Sequence, residues 1–160
     1  MMTLRSIQPS DWPYILDIQI ECYPQIEPES LEVLQSKWLT SPESCFALTS
    51  EGSVIGYCLA HPWHIDMPPS LEQVLGTIDQ ANTLYLHDIA LSAKAQGKGL
   101  GNLALKALIE FAETNNLNTI SLVAVQGAHH YWGKQGFIAK AISKDLSAYP
   151  EDARYMVYTL

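Results

Sequence analysis

Leu84-Tyr-Leu-His-Asp-Ile-Ala-Leu-Ser-Ala-Lys-Ala-Gln-Gly-Lys-Gly-Leu-Gly-Asn-Leu-Ala-Leu-Lys-Ala-Leu-Ile-Glu-Phe111 decides how this chain folds. It reads as an apolar strand, a glycine-rich turn and an amphipathic helix, with Leu100, Leu103, Ala104, Ala107, Leu108 and Phe111 at helical spacing. Glycines at 97, 99 and 101 leave backbone N–H groups bare where that helix begins. The first amides of a helix lack partners and the macrodipole is positive there, so the turn attracts phosphate. A mononucleotide P-loop is excluded, because Gly97-Lys98 is followed by Gly99 rather than Ser or Thr. A dinucleotide fingerprint is excluded too: Asn102 stands where its third glycine belongs, and no second strand ending in an acid follows before Thr119. What remains is Gln96-Gly-Lys-Gly-Leu-Gly101, a Q/R-x-x-G-x-G/A pattern placed directly after a strand.

The rest of the chain bounds the answer. Its 160 residues suit one domain with a sizeable core and are too few for two comfortable ones. At 48% apolar and 16% charged residues it reads as folded rather than disordered. Cys22, Cys45 and Cys58 are odd in number and widely spaced, which argues against a disulfide framework. The beginning Met1-Met-Thr-Leu-Arg-Ser-Ile lacks the basic and apolar regions of a signal peptide. No stretch approaches the roughly 20 apolar residues of a membrane span. A cytoplasmic protein without membrane partners is expected.

Periodicity predicts strands over residues 3–8, 44–49, 54–60, 83–91, 119–125, 137–142 and 155–160. Ser10-Asp11 is expected to cap a helix reaching Tyr23, with Ile15, Ile18 and Cys22 on one stripe. A second helix carries Leu31, Leu34 and Trp38, and a short one runs through Lys134. Ser50-Glu51-Gly52-Ser53 signals a hairpin, and residues 62–81 form a connection with a helical turn expected at 71–75.

Gln96–Gly101 resembles the pyrophosphate-binding signature of the GNAT superfamily of N-acetyltransferases. A second segment, Ala128-His-His-Tyr-Trp-Gly-Lys-Gln-Gly136-Phe137, resembles the family's A-x-x-F-Y-x-K-x-G-F stretch, where a short helix packs beside the thiol end of coenzyme A. The order of elements resembles that fold over nearly the whole chain, and implies a single domain over residues 1–160. The resemblance implies an α/β (α+β) architecture: a mixed, mostly antiparallel sheet of about seven strands with flanking helices, splayed at the cofactor site. Acetyl-CoA, as co-substrate, would lie between the strands at 84–91 and 119–125. Its phosphates would sit over the amides from Gly97 to Gly101, including Leu100, with Gln96 keeping a donor where Arg is more frequent. Lys98 and Lys94 are either further phosphate contacts or ordinary surface lysines. The main chain of Ile89, Ala90 and Leu91 inherits pantetheine binding and polarisation of the acetyl carbonyl.

Acetyl transfer needs a neutral amine, and imidazole can remove a proton from an ammonium near its unperturbed pKa of about 6.5. Strict strand alternation puts Tyr85, His87 and Ile89 on one side, and Leu86, Asp88 and Ala90 on the other. His87 stands where arylalkylamine N-acetyltransferases carry a catalytic histidine, with Tyr85 at the place of another. His87 is thus the candidate base or a packed structural histidine, and Asp88 is the weaker alternative because it points away. The family's tyrosine acid falls on Trp132, whose indole N–H is a poor proton donor. Tyr131 is adjacent but about 100° round the helix, so either it protonates the thiolate or water does, with Trp132 as a packing wall.

Residues 1–80 hold eleven acids against two bases, whereas 81–160 hold six acids against seven bases. An acidic half beside a near-neutral cofactor half favours a cationic amine and disfavours nucleic acid. Trp12, Tyr14, Tyr23, Trp38 and Trp63 are candidates to line an amine pocket by cation–π contact. His61 with His64, and His129 with His130, lack the ligands of a metal site and are expected at the surface or lining a pocket. The expected activity is therefore direct acetylation of a small primary amine, aralkylamine or polyamine-like, by a monomer or a homodimer. Acetylation of a protein α-amine or lysine, and a non-catalytic acyl-CoA-binding module, are the alternatives.

Overall fold

Leu4 and Arg5 stand in the first strand, β1 (Met2–Ser6), of a computed structural model that describes residues 2–24, 27–70, 73–95, 97, 99–147 and 149–160. Two helices follow, α1 (Trp12–Cys22) and α2 (Leu31–Thr40), then the hairpin β2 (Phe46–Ser50) and β3 (Ser53–Trp63). The hairpin turns through Glu51 and Gly52, both at positive φ, the conformation that a tight two-residue connection demands. Next come β4 (Thr83–Leu91), α3 (Leu100–Thr114), β5 (Thr119–Ala124), α4 (His129–Lys134), β6 (Ile138–Ala139) and β7 (Arg154–Thr159).

Element order follows the sequence expectation, with four local differences. Asp11 does not cap α1: its carboxylate accepts two hydrogen bonds from Arg5, at 2.8 and 2.9 Å, and one from the Gln8 amide at 2.7 Å. Strand β3 runs on to Trp63, because β4 pairs with it as far as Thr83. Residues 73–75 form no helix, and the rest of the expected turn, Leu71 and Glu72, lies outside the described residues. The strand expected over 137–142 shrinks to Ile138–Ala139, both exposed at the sheet edge.

The strands form one seven-stranded sheet in the order β1-β2-β3-β4-β5-β7-β6. All neighbours are antiparallel except β4 and β5. Those two pair only at Leu84–Ile120 and Tyr85–Ser121, then separate. One face of the sheet is covered by α3, with Leu105 and Leu108 packed against Cys58, Leu84, Leu86 and Ile120. The other is covered by α1 and α2, where Trp12, Ile15 and Leu34 meet Tyr57, Leu59 and Ala90. Among the described residues no helix is long and apolar enough to cross a membrane, and no three His, Cys, Asp or Glu side chains are grouped to hold a metal ion.

Strand β4 is not regular. Leu59 pairs with Asp88 and Ala60 with Leu86, so His87 is left over as a bulge. One extra residue resets the alternation. Ile89 and Leu91 therefore pack with Leu86 on the α3 side, and Ala90 turns to the α1 side. The strict alternation expected from the sequence is thereby corrected: Asp88 joins the α1 side with Tyr57, and His87 faces Glu29 beside it.

Candidate active site

The separation of β4 from β5 opens a groove of about 460 Å³. Ile89, Ala90 and Leu91 form one wall, and Val123, Ala124 and Val125 the other. The carbonyls of Ile89 and Leu91, which no β5 residue pairs, accept from the Tyr23 hydroxyl (3.1 Å) and the Cys22 thiol (3.1 Å) at the end of α1. Gly97, Gly99, Leu100 and Gly101 close the far end of the groove at the start of α3. Gly97 (φ +79°) and Gly99 (φ +76°) lie in the left-handed region at the turn into α3, whose first amides lack partners within the helix. Gln96 and Lys98, expected to contact phosphate, lie outside the described residues.

Tyr131 and Trp132 both line this groove but differ in kind. Trp132 is buried, edge-on to Phe137 at 5.2 Å, as a wall of the α3-side core. Tyr131 is 41% exposed and its hydroxyl donates to Asn102 Oδ1 at 3.2 Å. A Cβ on Gly101 would stand 2.7 Å from that hydroxyl, so the glycine is what lets Tyr131 reach the start of α3. Partial burial raises the Tyr131 pKa.

A second cavity, about 70 Å³, opens beside the groove on the α1 side. The two share Tyr23, His87, Asp88, Val123 and Val125. His87 Nε2 lies 3.0 and 3.3 Å from the two carboxylate oxygens of Glu29, and its Nδ1 is buried without a hydrogen-bond partner among the described residues. Lys37, fully buried on α2, donates to Glu29 Oε2 at 3.3 Å and to the Gln73 carbonyl at 3.0 Å. Burial alone would raise the Glu29 pKa, but the hydrogen bond and charge of His87, with Lys37, bring it down to about 2. Asp88 behaves oppositely. Burial raises its pKa, although the Tyr23 hydroxyl (2.6 Å) and the Tyr57 hydroxyl both donate to its carboxylate and partly offset that.

Several expected pocket residues are elsewhere. Tyr85 lines neither cavity: it is buried and hydrogen-bonded to the hydroxyl of Tyr149, which does line the smaller one. Trp63 also lines neither, because β3 carries it past the site to donate its Nε1–H to the Met67 carbonyl at 2.8 Å. Trp12 and Trp38 pack on each other in the core at 5.7 Å, and Tyr14 is 58% exposed. Of the five aromatics only Tyr23 reaches the site. His61, expected at a surface or pocket wall, is fully buried between Tyr85, Trp63 and His87, and burial pushes its pKa down to about 3. Sequence reasoning missed Glu29, Lys37, Tyr57 and Tyr149. Pro28, whose ring fixes its own φ, is a local sequence signal beside Glu29.

A sheet parted between two parallel strands, with a glycine-built helix start at the end of the gap, defines an acyl-CoA transferase cleft. Residues 12–137 match the acetyltransferase (GNAT) family, and the chain belongs to that family. The loading GNATL domain of CurA from Lyngbya majuscula superposes with a TM-score of 0.82 at 15% identity, covering 99% of this chain and 98% of that one. The ribosomal-protein-S18-alanine N-acetyltransferase from Escherichia coli gives 0.69 at 22% identity, with 99% and 94% covered. At such identities the likeness is one of fold. A Bacillus subtilis protein described as the probable hydrolase YhcX is 39% identical over 57 residues, which is 36% of this chain and 11% of that protein. Acetyl-CoA fits the residues present: bare amides at α3 for phosphates, an apolar channel for the arm, and the β4 main chain beyond its pairing with β5.

Proposed function

We propose that this chain transfers acetyl from acetyl-CoA directly to the primary amine of a small cationic acceptor, of aralkylamine or polyamine type. The observation that supports this most is the meeting of the two cavities at His87, Asp88 and Tyr23, with Glu27 and Glu29 on the acceptor side. A cavity of about 70 Å³ suits a slender amine better than a folded peptide. Its surroundings are tied down on both sides: Lys37 and Ser36 hold Gln73 and Leu75 to α2, and the Tyr149 hydroxyl donates to the Pro69 carbonyl.

The chemistry follows from the donors. Two reactants held at one junction gain most of their acceleration from being held there. The bound thioester supplies the acetyl group. His87 takes a proton from the incoming ammonium, directly or across one water, and so frees the amine to attack. Main-chain amides of Ile89 to Leu91 polarise the acetyl oxygen. Tyr131 is the hydroxyl assigned to return a proton to the departing sulfur, after leaving Asn102. Cys22 lines the groove, but burial pushes its thiol up to about 11, which keeps it protonated and unsuited to carry the acyl group.

Release of coenzyme A thiol across small amines, polyamines and peptides tests the reading. Turnover confined to small cationic amines is expected. Preference for peptides would redirect the assignment to protein acetylation, and binding of acetyl-CoA without turnover on any acceptor would reduce the chain to a binding module.

A further inference from the structure

His87 sits at the end of a chain of buried charges that its base role does not by itself require. Glu29 is held from both helices. On α1 the Gln19 side chain accepts from the Glu29 amide (3.1 Å) and donates to its carbonyl (3.3 Å). On α2 Lys37 donates to its carboxylate. The side chains of Lys37, Glu29 and His87 are 0%, 10% and 3% exposed, so their mutual contacts are largely shielded from bulk water. A buried lysine and a buried carboxylate are costly to keep, and their retention calls for a geometric reason.

The donors and acceptors supply one. A carboxylate only accepts and an ammonium only donates, so the hydrogen between Glu29 and neutral His87 sits on Nε2. The ring's remaining lone pair is then on Nδ1, the buried atom without a partner among the described residues. The bulge in β4 leaves His87 unpaired with β3, so its orientation depends on this chain of contacts. Facing the ring are His61 from β3, at 6.3 Å between ring centres, and Tyr85 from its own strand, at 6.1 Å; neither donates to it.

We propose that Glu29 is a positioning residue which, locked by Lys37 and Gln19, fixes His87 as the Nε2–H tautomer and so keeps the ring's lone pair on Nδ1, the nitrogen that the carboxylate does not engage. This rests on the reading of His87 as the base, yet the tautomer can be measured without turnover. Lys37 also dictates what an amide would do in the carboxylate's place. In Glu29→Gln the amide oxygen turns to Lys37, which can only donate, and the NH2 turns to Nε2. The proton then moves to Nδ1, and the ring's lone pair moves to Nε2, where the amide occupies it.

Nitrogen NMR of the full chain with labelled histidine is the test. The wild-type ring is expected as Nε2–H, and Glu29→Gln as Nδ1–H with kcat down roughly 10- to 100-fold, at or below the lower end of the roughly 10²- to 10⁴-fold that acid–base catalysis contributes. The KM for acetyl-CoA stays unchanged. Glu29→Gln/Lys37→Met frees the amide oxygen to accept from Nε2, so the Nε2–H tautomer returns and part of the rate with it. A wild-type ring found as Nδ1–H overturns the proposal, as does a Glu29→Gln ring that keeps both the wild-type tautomer and rate. Undiminished turnover in His87→Gln would overturn the base reading alone, leaving the tautomer to decide whether Glu29 fixes the ring.

Discussion

The two cavities that meet at His87 are built from different materials. The larger groove is mostly main chain: the free stretch of β4, two left-handed glycines and the start of α3. The smaller cavity is mostly side chain, and its members come from distant places: Gln19 on α1, Glu29 in the loop, His87 and Asp88 on β4, Tyr149 near the end of the chain. Backbone recognition tolerates changes of side chain, provided the backbone conformation survives. Buried polar side chains tolerate little, because each depends on its partner being present. The lesson is that binding of the cofactor and chemistry at the acceptor should fail separately, under different kinds of substitution.

The largest expected effect breaks the acceptor side alone. His87→Gln should lower kcat by about 10²- to 10⁴-fold, with the Kd for acetyl-CoA unchanged by titration calorimetry. A parallel loss of cofactor affinity would show that the two regions are not separable. Tyr23→Phe comes next, since it removes a donor from the buried Asp88 carboxylate. Urea unfolding should show a loss of about 1 to 3 kcal/mol, and Asp88 should be harder still to ionise. On the cofactor side, Gly99→Val forces a β-branched residue to φ +76°. It should cost about 1 to 2 kcal/mol and weaken acetyl-CoA binding roughly tenfold, with kcat at saturation little changed. The last effect concerns the pH dependence of stability and belongs to the Glu29 carboxylate. Its folded pKa of about 2 lies below the ordinary 4.5. Its contribution to stability is therefore complete above the ordinary value and disappears as pH falls from there through about 2. Glu29→Gln should flatten the acid limb of a stability–pH curve over that window and leave the plateau shape near neutrality intact.

That contrast also explains what could be read in advance. Gly97, Gly99 and Gly101 announce themselves because they alternate within one turn just ahead of a helical pattern. Trp132 and Tyr131 were legible for the same reason, as neighbours in one short segment. Glu29 and Lys37 were not, since nothing in their local sequence separates a buried ion pair from a solvated helix face. Their meaning appears only when α1, α2 and β4 converge. The bulge at His87 was equally hidden: alternation predicts faces only in a regular strand, and a single extra residue moved Asp88 to the side where Tyr23 and Tyr57 wait. Trp63 misled by proximity along the chain, because β3 is longer than its apolar run suggested.

Simultaneous occupation of both cavities is the claim on which the rest depends. Initial rates measured over a grid of acetyl-CoA and amine concentrations test it most directly. Double-reciprocal lines that intersect are the predicted result, because both substrates meet at His87 before either product leaves. Parallel lines, together with label from the acetyl group retained on the protein, would show an acyl-enzyme and contradict the account.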